Sequence, residues 1–264
     1  MDADVYTQVK ASIKRRLNID LTNYKDEQMK RRLDSWLVRV HASTWNDYFG
    51  WLSSDPTELE RFRNYLTINV TEFFRDQSRW DFLRQEILPY LLTRSTGNRP
   101  VGELKLWSAG CSIGAEPYTL AIMMNEAAPS QKYSLLATDL DRGALHKARS
   151  RGPYSESDIR NLDTALLQKY FTSAAPFYVK ESLQKNIRFK EQDLLADPFE
   201  RSFDLIVCRN VVIYFTAEAK EVLYAKFSDA LRPGGVLFLG GTELISGPTK
   251  FGLQNFGISF YKKV

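Results

Sequence analysis

The sequence predicts two folded units in one chain, a small all-α N-terminal domain followed by an α/β domain with a mostly parallel sheet. Three observations on the 264-residue chain support this. Apolar residues recur with a helical period as far as about Leu92. Beyond residue 102, short apolar runs alternate with helical segments, which is typical of βαβ units. Between the two patterns lies a polar stretch with Gly and Pro, "TRSTGNRPVG".

The N-terminal domain is predicted to span residues 1–92 and to contain helices only. Two amphipathic helices are indicated by apolar residues spaced three or four apart: Val5, Val9, Ile13 and Leu17, then Met29, Leu33, Trp36, Leu37 and Val40. A third helix has a start signal at "SDPTELERF", with Asp55 as N-cap and Pro56 in the first turn. A fourth is predicted from about Asp76 to Leu92.

The α/β domain is predicted to span residues 103–264, after a linker at residues 93–102. Its strands are expected in five apolar runs: "LKLWSA", "SLLATD", "NIRFKEQD", "FDLIVC" and "VLFLGG". An insertion over about residues 153–186 is less regular. There, "SESDIRNLDTALLQKYF" is predicted to be helical, and "PFYVKESLQKNIRF" is predicted to form a small hairpin, which would make the insertion a small β-subdomain.

Composition excludes several classes of protein. No run of about eighteen apolar residues is present and the N-terminus is polar, so we expect a soluble cytoplasmic protein. Cys111 and Cys208 are far apart, and His41 and His146 have no Cys or second His nearby in sequence, so we expect neither a disulfide framework nor a metal site. The net charge of +4 is low for a nucleic-acid-binding protein.

The stretch "WSAGCSIGAEPYTLA" is predicted to run from a strand through a tight turn into a helix. Gly110 and Gly114 let the backbone turn and approach a ligand, but the dinucleotide spacing G-x-G-x-x-G is absent. Glu116 opens the helix, followed by Pro117. A carboxylate there competes with a phosphate for the helix N-terminus, so the turn favours a ligand that carries a positive charge.

Two further strand ends carry candidate ligand-binding residues. Asp139, about twenty residues beyond the Gly turn, stands where a ribose is usually bound. Asn210 and Tyr214 follow the run "FDLIVC", where an amide and a phenol are suited to ligand contacts. The combination indicates S-adenosylmethionine as the ligand. Other nucleotides remain alternative ligands, because Asp139 could simply cap the end of its strand and Tyr214 could simply cover the core.

Several motifs together resemble the chemotaxis receptor glutamate methyltransferases, the CheR family. The resemblance covers essentially the whole chain and rests on "MKRRL", "LTINVTEFFRD", "WSAGCSIGAEPYTLA", "ATDLD", "FDLIVCRNVVIYF" and "LRPGGVLFLGGTE". It implies a class I S-adenosylmethionine-dependent, Rossmann-like methyltransferase domain behind a small helical domain. The implied activity is methylation of glutamate side chains on the cytoplasmic helices of methyl-accepting chemotaxis receptors.

The resemblance also implies roles for single residues, carried over motif by motif. Asn69, Thr71 and Arg75 would reach the cofactor from the first domain. Glu116 would hold the amino end of the cofactor and Asp139 its ribose. Asp193 and Leu194 would flank the adenine, and Asn210 and Val211 the methionine side. Arg75 and Tyr214 would lie nearest the methyl group.

One turn departs from the family pattern. The family usually reads S-T-G-E-E-P where this chain has "SIGAEP", so Ile113 and Ala115 replace a hydroxyl and a carboxylate. Roles of those two side chains are therefore not carried over, while Glu116 is retained. The segment "FTSAAPFYVKESLQ" stands where part of the family carries a subdomain that binds a receptor pentapeptide, and its shortness resembles the pentapeptide-independent branch.

The absence of a catalytic histidine fits this chemistry. A glutamate with a reference pKa of about 4.3 is already a nucleophile at neutral pH, so no general base is needed. Arg31, Arg32 and Arg39 lie off the apolar stripe of the second helix, where they are predicted to steer a glutamate-rich receptor helix or to form an ordinary solvated face. The alternatives are a methyltransferase of the same fold for a nucleic acid or small molecule, and a non-catalytic cofactor-binding scaffold.

Overall fold

The computed structural model describes residues 1–52, 54–67, 69–93 and 102–264. Its contacts divide the chain into two compact units, one formed by Met1–Ile68 with Tyr214–Glu221 and the other by Asn69–Ile213 with Val222–Val264. The predicted boundary at residue 92 differs from this division, because residues 69–93 pack with the α/β unit. Except for its two end residues, the predicted linker, residues 93–102, lies outside the described residues.

The first unit is helical, as the period of its apolar residues predicts. Its main helices are α1 (Ala3–Leu17), α2 (Asp26–Arg39), α3 (Trp45–Leu52) and α4 (Pro56–Leu66). Asp55 caps α4, since its Oδ1 accepts hydrogen bonds from Thr57 N and Glu58 N at 2.9 and 3.1 Å. The predicted start signal of this helix is therefore confirmed. The rings of Trp36 and Phe62 stack with their centroids 5.4 Å apart, and both side chains are almost fully buried.

The second unit begins with a helical stretch that the sequence predicts as one helix. It consists of α5 (Gln77–Phe82), a π-turn at Leu83–Ile87 and α6 (Leu88–Thr93). Its apolar side chains are buried: Trp80, Leu83, Ile87 and Leu91 belong to the core of the α/β unit. Burial of these side chains explains why residues 69–93 group with the sheet and not with the first four helices.

A seven-stranded sheet forms the second unit within the described residues, in the order β3-β2-β1-β4-β5-β7-β6. Its strands are β1 (Glu103–Ala109), β2 (Lys132–Asp139), β3 (Ile187–Glu191), β4 (Phe203–Cys208), β5 (Leu231–Leu239), β6 (Leu253–Gly257) and β7 (Phe260–Lys263). The five predicted strands are confirmed and run parallel, and β7 pairs antiparallel with β5 and β6. Chain order reverses between β1 and β4, which is where ligands bind in open α/β sheets.

The helices of this unit include α7 (Ala115–Ala127), α8 (Arg142–Arg149) and the part of α12 (Ala217–Ala230) that follows Glu221. Every residue of β4 is buried, as expected for a central strand with both faces covered. No helix in the described part of the chain has both the length and the apolar character needed to cross a membrane.

The insertion at residues 153–186, all of it described, differs from its prediction. It holds three short helices, α9 (Glu156–Ile159), α10 (Thr164–Tyr170) and α11 (Glu181–Gln184). The predicted helical segment is confirmed, but the hairpin prediction is wrong, because Glu181–Gln184 is helical and the following residues join the main sheet as β3. The expected β-subdomain is reduced to two isolated bridges, Tyr154↔Phe177 and Phe171↔Val179. Tyr154, Phe171 and Val179 are buried in the main core, so the segment covers that core.

Candidate cofactor site

The Gly turn between β1 and α7 has a backbone that only glycine accepts without strain at two positions. Gly110 and Gly114 have φ of +85° and +93°, in the left-handed region. A Cβ on Gly110 would lie 2.5 Å from Cγ2 of Val211, and one on Gly114 would lie 2.9 Å from Cβ of Ala148. The turn is therefore pressed against the residues that follow β4, and both glycines are required by its shape.

Asp139 at the end of β2 holds this turn in place. Its Oδ2 accepts a hydrogen bond from Ser112 N at 2.7 Å, and its Oδ1 accepts one from Asp141 N at 2.9 Å. Burial raises the pKa of Asp139 to about 6. Each carboxylate oxygen can accept more than one hydrogen bond, so Asp139 retains capacity for a ligand hydroxyl beside the turn.

Glu116 lies in the first turn of α7 and is almost completely buried. Its Oε1 accepts a hydrogen bond from Ser108 Oγ at 2.7 Å. Burial raises the pKa of Glu116 to about 7, and the charge of Arg209 and the bond from Ser108 act in the opposite direction. A buried carboxylate of this kind is unfavourable in the absence of a cation and is suited to receive one.

Residues 69–76 lie against the Gly turn within the second unit. Asn69 accepts a hydrogen bond from Ser112 Oγ at 2.8 Å and donates one to Asp141. Arg75 Nη1 donates to the backbone oxygen of Val70 at 2.7 Å, and half-buried Thr71 lies between these residues in sequence. Asn69, Thr71 and Arg75 therefore come from the α/β unit, whereas the predicted domain boundary placed them in the first domain.

The loop after β3 carries Asp193 and Leu194, the residues predicted to flank the adenine. Asp193 Oδ1 accepts hydrogen bonds from Leu195 N at 2.8 Å and from Ala196 N at 3.3 Å, and Leu194 is buried. Lys226 of α12 donates to the backbone oxygen of Leu194 at 2.7 Å. The backbone of Gln192 donates to Asp139 O at 2.9 Å, which joins this loop to the end of β2.

Asn210 and Val211, after β4, complete the edge of the site. Asn210 has a left-handed φ of 59°, and its backbone N donates to Glu243 Oε2 at 2.7 Å. Gly240 N donates to the same oxygen at 2.6 Å. Burial raises the pKa of Glu243, and the backbone donors lower it. Val211 closes against Gly110, so the loops after β1, β2, β3 and β4 meet at one edge of the sheet.

Sequence reasoning missed three residues of this arrangement, Ser108, Arg209 and Glu243. Glu243 lies within the quoted motif "LRPGGVLFLGGTE", and Arg209 interrupts an otherwise apolar run, so a charged residue next to a buried strand was the available signal. Ser108 is fully buried inside β1, and a serine within a strand gives no such signal.

Tyr214 and the three predicted arginines belong to the first unit. Lys25 N donates to Tyr214 O at 2.9 Å. A groove of about 340 Å³ is lined by Tyr24, Lys25, Gln28, Met29, Arg31, Arg32, Ser35, Tyr65 and Tyr214. The groove combines positive charge with aromatic rings, which suits a carboxylate on an amphipathic partner.

Arg32 differs from the solvated residue that its position predicts. It is half-buried, and its Nε donates to the backbone oxygen of Tyr65 at 2.8 Å, at the end of α4. Its guanidinium also lies 4.3 Å from the centre of the Tyr65 ring. Arg32 therefore caps α4, because helix C-termini carry unpaired carbonyls, while Arg31 and Arg39 are exposed as predicted.

Comparison with known proteins gives the same boundary near residue 68 and the same class of fold. Residues 69–257 match the family described as CheR methyltransferase, SAM binding domain, and residues 4–67 match its all-alpha domain. A chemotaxis protein methyltransferase of Listeria innocua is 44% identical over 252 residues, covering 95% of this chain and 94% of its own. One from Borreliella burgdorferi is 37% identical over 87% of this chain and 84% of its own. One from Klebsiella aerogenes is 32% identical over 91% of this chain and 83% of its own.

Proposed function

This chain belongs to the CheR family of S-adenosylmethionine-dependent methyltransferases, and from that premise we propose that it methylates glutamate side chains on the cytoplasmic helices of chemoreceptors. The product is a glutamyl methyl ester. The observation that carries the proposal is the buried carboxylate of Glu116 beside a Gly turn that has no phosphate-binding spacing.

The residues at the strand ends fit S-adenosylmethionine. Glu116 is suited to the cationic amino group, because it is a buried acceptor that a hydrogen bond from Ser108 holds in place. Asp139 is suited to the ribose hydroxyls, and Gly110 and Gly114 leave room where a Cβ would collide with its neighbours. Asp193 and Leu194 border the adenine in this assignment, and Asn210 and Val211 border the methionine side.

Asn69, Thr71 and Arg75 are proposed to complete the cofactor site from the segment that lies on the Gly turn. Arg75 is assigned the place nearest the methyl group, and the same assignment for Tyr214 stays a prediction from the resemblance. A guanidinium binds a carboxylate in a bidentate manner, so Arg75 would orient the incoming glutamate. The support for this is the position of Arg75 within the hydrogen-bonded segment that begins at Asn69.

The chemistry needs orientation more than acid–base groups. When bound, the cofactor supplies a methyl group on a positively charged sulfur. A substrate carboxylate oxygen would form a bond to that methyl carbon as the carbon–sulfur bond breaks, and the electron pair of the broken bond would pass to sulfur. Because the carboxylate is already ionised, the residues of the chain bind and align it and exclude water, and alignment of this kind is worth about 7–11 kcal/mol.

Arg31 and Arg39 are proposed to contact the receptor. Both are exposed on α2, and their charge suits a helix rich in glutamate. The groove that contains Arg31 and Tyr214 lies in the same unit. The β-pairing of the segment at residues 171–184 is limited to isolated bridges, which supports a receptor interaction that does not use a pentapeptide.

The test is a methyl-transfer reaction with labelled S-adenosylmethionine and membranes that contain chemoreceptors, followed by mass spectrometry of receptor peptides. We expect methylated glutamates in the cytoplasmic helices. Label found only on nucleic acid or small acids in a parallel reaction would identify a methyltransferase of another specificity. Cofactor binding without any transfer would identify a non-catalytic scaffold.

A further inference from the structure

Arg209 is a buried cation that the proposed reaction does not use. It follows β4 directly, and its side chain is only 3% exposed. Its Nη2 donates to Asp76 Oδ2 at 2.6 Å. Its guanidinium carbon lies 5.3 Å from the centre of the Trp80 ring and 5.0 Å from that of Phe238. Two aromatic rings and one carboxylate therefore hold the guanidinium inside the second unit.

Stability does not explain this arrangement. Among the residues that the structure describes, Arg209 Nε has no hydrogen-bond partner although it is buried. A buried donor left unpaired is costly, and a buried ion pair is often no more stable than apolar residues of similar volume. Asp76 is 46% exposed, so solvent weakens its attraction for Arg209. The cation is better explained by what it does to another buried charge.

Glu116 is that charge. Ser108, whose Oγ donates to Glu116 Oε1 at 2.7 Å, lies in β1 opposite Val207 of β4, two residues before Arg209. Arg209 and Arg75 are the positive groups that act on Glu116, and Glu243 is the negative one. The thiols of Cys111 and Cys208 also interact with Glu116, but burial raises the pKa of both, so they stay neutral. Burial raises the pKa of Glu116 to about 7, and the charge of Arg209 is the largest influence that opposes it.

We infer that Arg209 is a positioning residue of the cofactor site, whose buried charge favours the ionised carboxylate of Glu116 that receives the amino group of the cofactor. The inference rests on the proposed role of Glu116. Without Arg209, Glu116 would hold its proton to a higher pH, and the cofactor could bind to a carboxylate only after that proton left. Above the pH at which Glu116 ionises by itself, Arg209 would give no advantage, since the carboxylate is then charged with or without it.

The experiment measures the affinity of the full chain for S-adenosylhomocysteine by calorimetry between about pH 5.5 and 8.5, the range in which Glu116 titrates. In the unsubstituted protein the affinity should rise with pH. In Arg209→Met the midpoint of that rise should move up by about one pH unit, which is roughly a tenfold loss of affinity below the midpoint. At the highest pH the two proteins should bind equally well. Asp139, whose pKa is raised to about 6, titrates in the same range in every variant, so the difference between variants is what counts.

Asp76→Asn is the matched control, because it breaks the same ion pair and keeps the charge of Arg209. Its midpoint should stay at the unsubstituted value or move down. An equal upward shift in Asp76→Asn and Arg209→Met would overturn the inference, and so would a loss of affinity in Arg209→Met that is the same at every pH. Either result would mean that the ion pair serves only to hold the structure.

Two further arms separate folding and the proposed function from the inference. If Arg209→Met does not fold, Arg209→Lys replaces it: lysine keeps the charge, so the midpoint should hold even if the melting temperature falls, and a shifted midpoint would overturn the inference. Methylthioadenosine lacks the amino acid portion and should bind Arg209→Met and the unsubstituted protein equally. If Glu116→Gln leaves S-adenosylhomocysteine binding intact, the proposed role of Glu116 fails. If Glu116→Gln loses S-adenosylhomocysteine binding while Arg209→Met keeps the midpoint of the unsubstituted protein, the inference fails and the proposed role of Glu116 stands.

Discussion

Ser108 Oγ donates a hydrogen bond to Glu116 Oε1 at 2.7 Å, so the end of β1 and the first turn of α7 are joined through a buried carboxylate. This contact fixes where the one acidic side chain of the Gly turn points. A carboxylate in this place stabilises a bound cation more than it stabilises the empty protein, because burial disfavours its charge.

Replacement of Glu116 by glutamine should therefore separate stability from binding. The folded protein holds a proton on Glu116 up to about pH 7, whereas the unfolded chain releases it near its ordinary value of 4.5. The folded state thus binds the proton more tightly and loses stability as the pH rises between these values. At about pH 8, Glu116→Gln should be more stable by about 1–3 kcal/mol in urea unfolding. It should also lose most of its affinity for S-adenosylhomocysteine. A variant that is less stable at this pH would contradict the account.

Gly110→Ala should damage both the turn and the cofactor site. The new Cβ would lie 2.5 Å from Val211 Cγ2, in a backbone with φ of +85°. Strain and collision together should cost about 1–3 kcal/mol of unfolding free energy. As a control, Gly50→Ala places a Cβ in the exposed part of α3, where it meets nothing within 4 Å beyond its chain neighbours and the adjacent helix backbone, and should stabilise the protein by about 0.5–1 kcal/mol. Equal stabilities of the two variants would refute this view of the turn.

Much of the fold could be predicted from the sequence, because five strands and most helices are encoded in local periodicity. The strands β6 and β7 were missed, since they are short and follow one another near the C-terminus without a helix between them. The prediction of a hairpin at residues 176–189 was wrong. Tyr154, Phe171 and Val179 pack instead against core residues that are distant in the sequence. Long-range packing of this kind leaves no periodic signal.

The site was predictable where a residue type is unusual for its place, as with Glu116 at a Gly turn and Asp139 at a strand end. Most of the other assignments came from the resemblance to a family and not from physical reasoning. Arg32 shows the limit of the helical pattern. The pattern places Arg32 off the apolar stripe, but it cannot predict the hydrogen bond to the end of α4, which joins residues 33 positions apart. The helical pattern also cannot predict the ion pair of Arg209 with Asp76, because these residues are 133 positions apart.

The arginines of α2 should divide into two classes. Reversing exposed Arg31 and Arg39 to glutamate should raise the apparent KM for receptor several-fold and leave cofactor affinity unchanged. Arg32→Glu should instead destabilise the helical unit by about 1–3 kcal/mol, because it removes the cap of α4 and buries a charge beside carbonyl oxygens. Receptor kinetics and thermal unfolding, measured side by side, check both. Unchanged receptor kinetics in the Arg31 and Arg39 double variant would exclude these residues from receptor binding.

Arg75→Ala should lower methyl transfer far more than it lowers stability. Its guanidinium is partly exposed and donates one hydrogen bond to a backbone oxygen, so the structural loss should be about 1 kcal/mol. Loss of a group that orients the substrate carboxylate should reduce kcat by roughly 10²-fold or more. Arg84→Ala, which removes a surface ion pair with Asp81, is the control and should keep full turnover. Wild-type turnover in Arg75→Ala would show that the residue only supports the loop.

The central claim is that this chain places a methyl group on receptor carboxylates by way of a cofactor held at Glu116. It is tested most directly by labelling receptor membranes with methyl-labelled S-adenosylmethionine and treating the washed membranes with mild alkali, which releases methanol from glutamyl esters. We predict volatile label with the unsubstituted protein and almost none with Glu116→Gln. Label that stays bound after alkali, or equal release by the two proteins, would contradict the account.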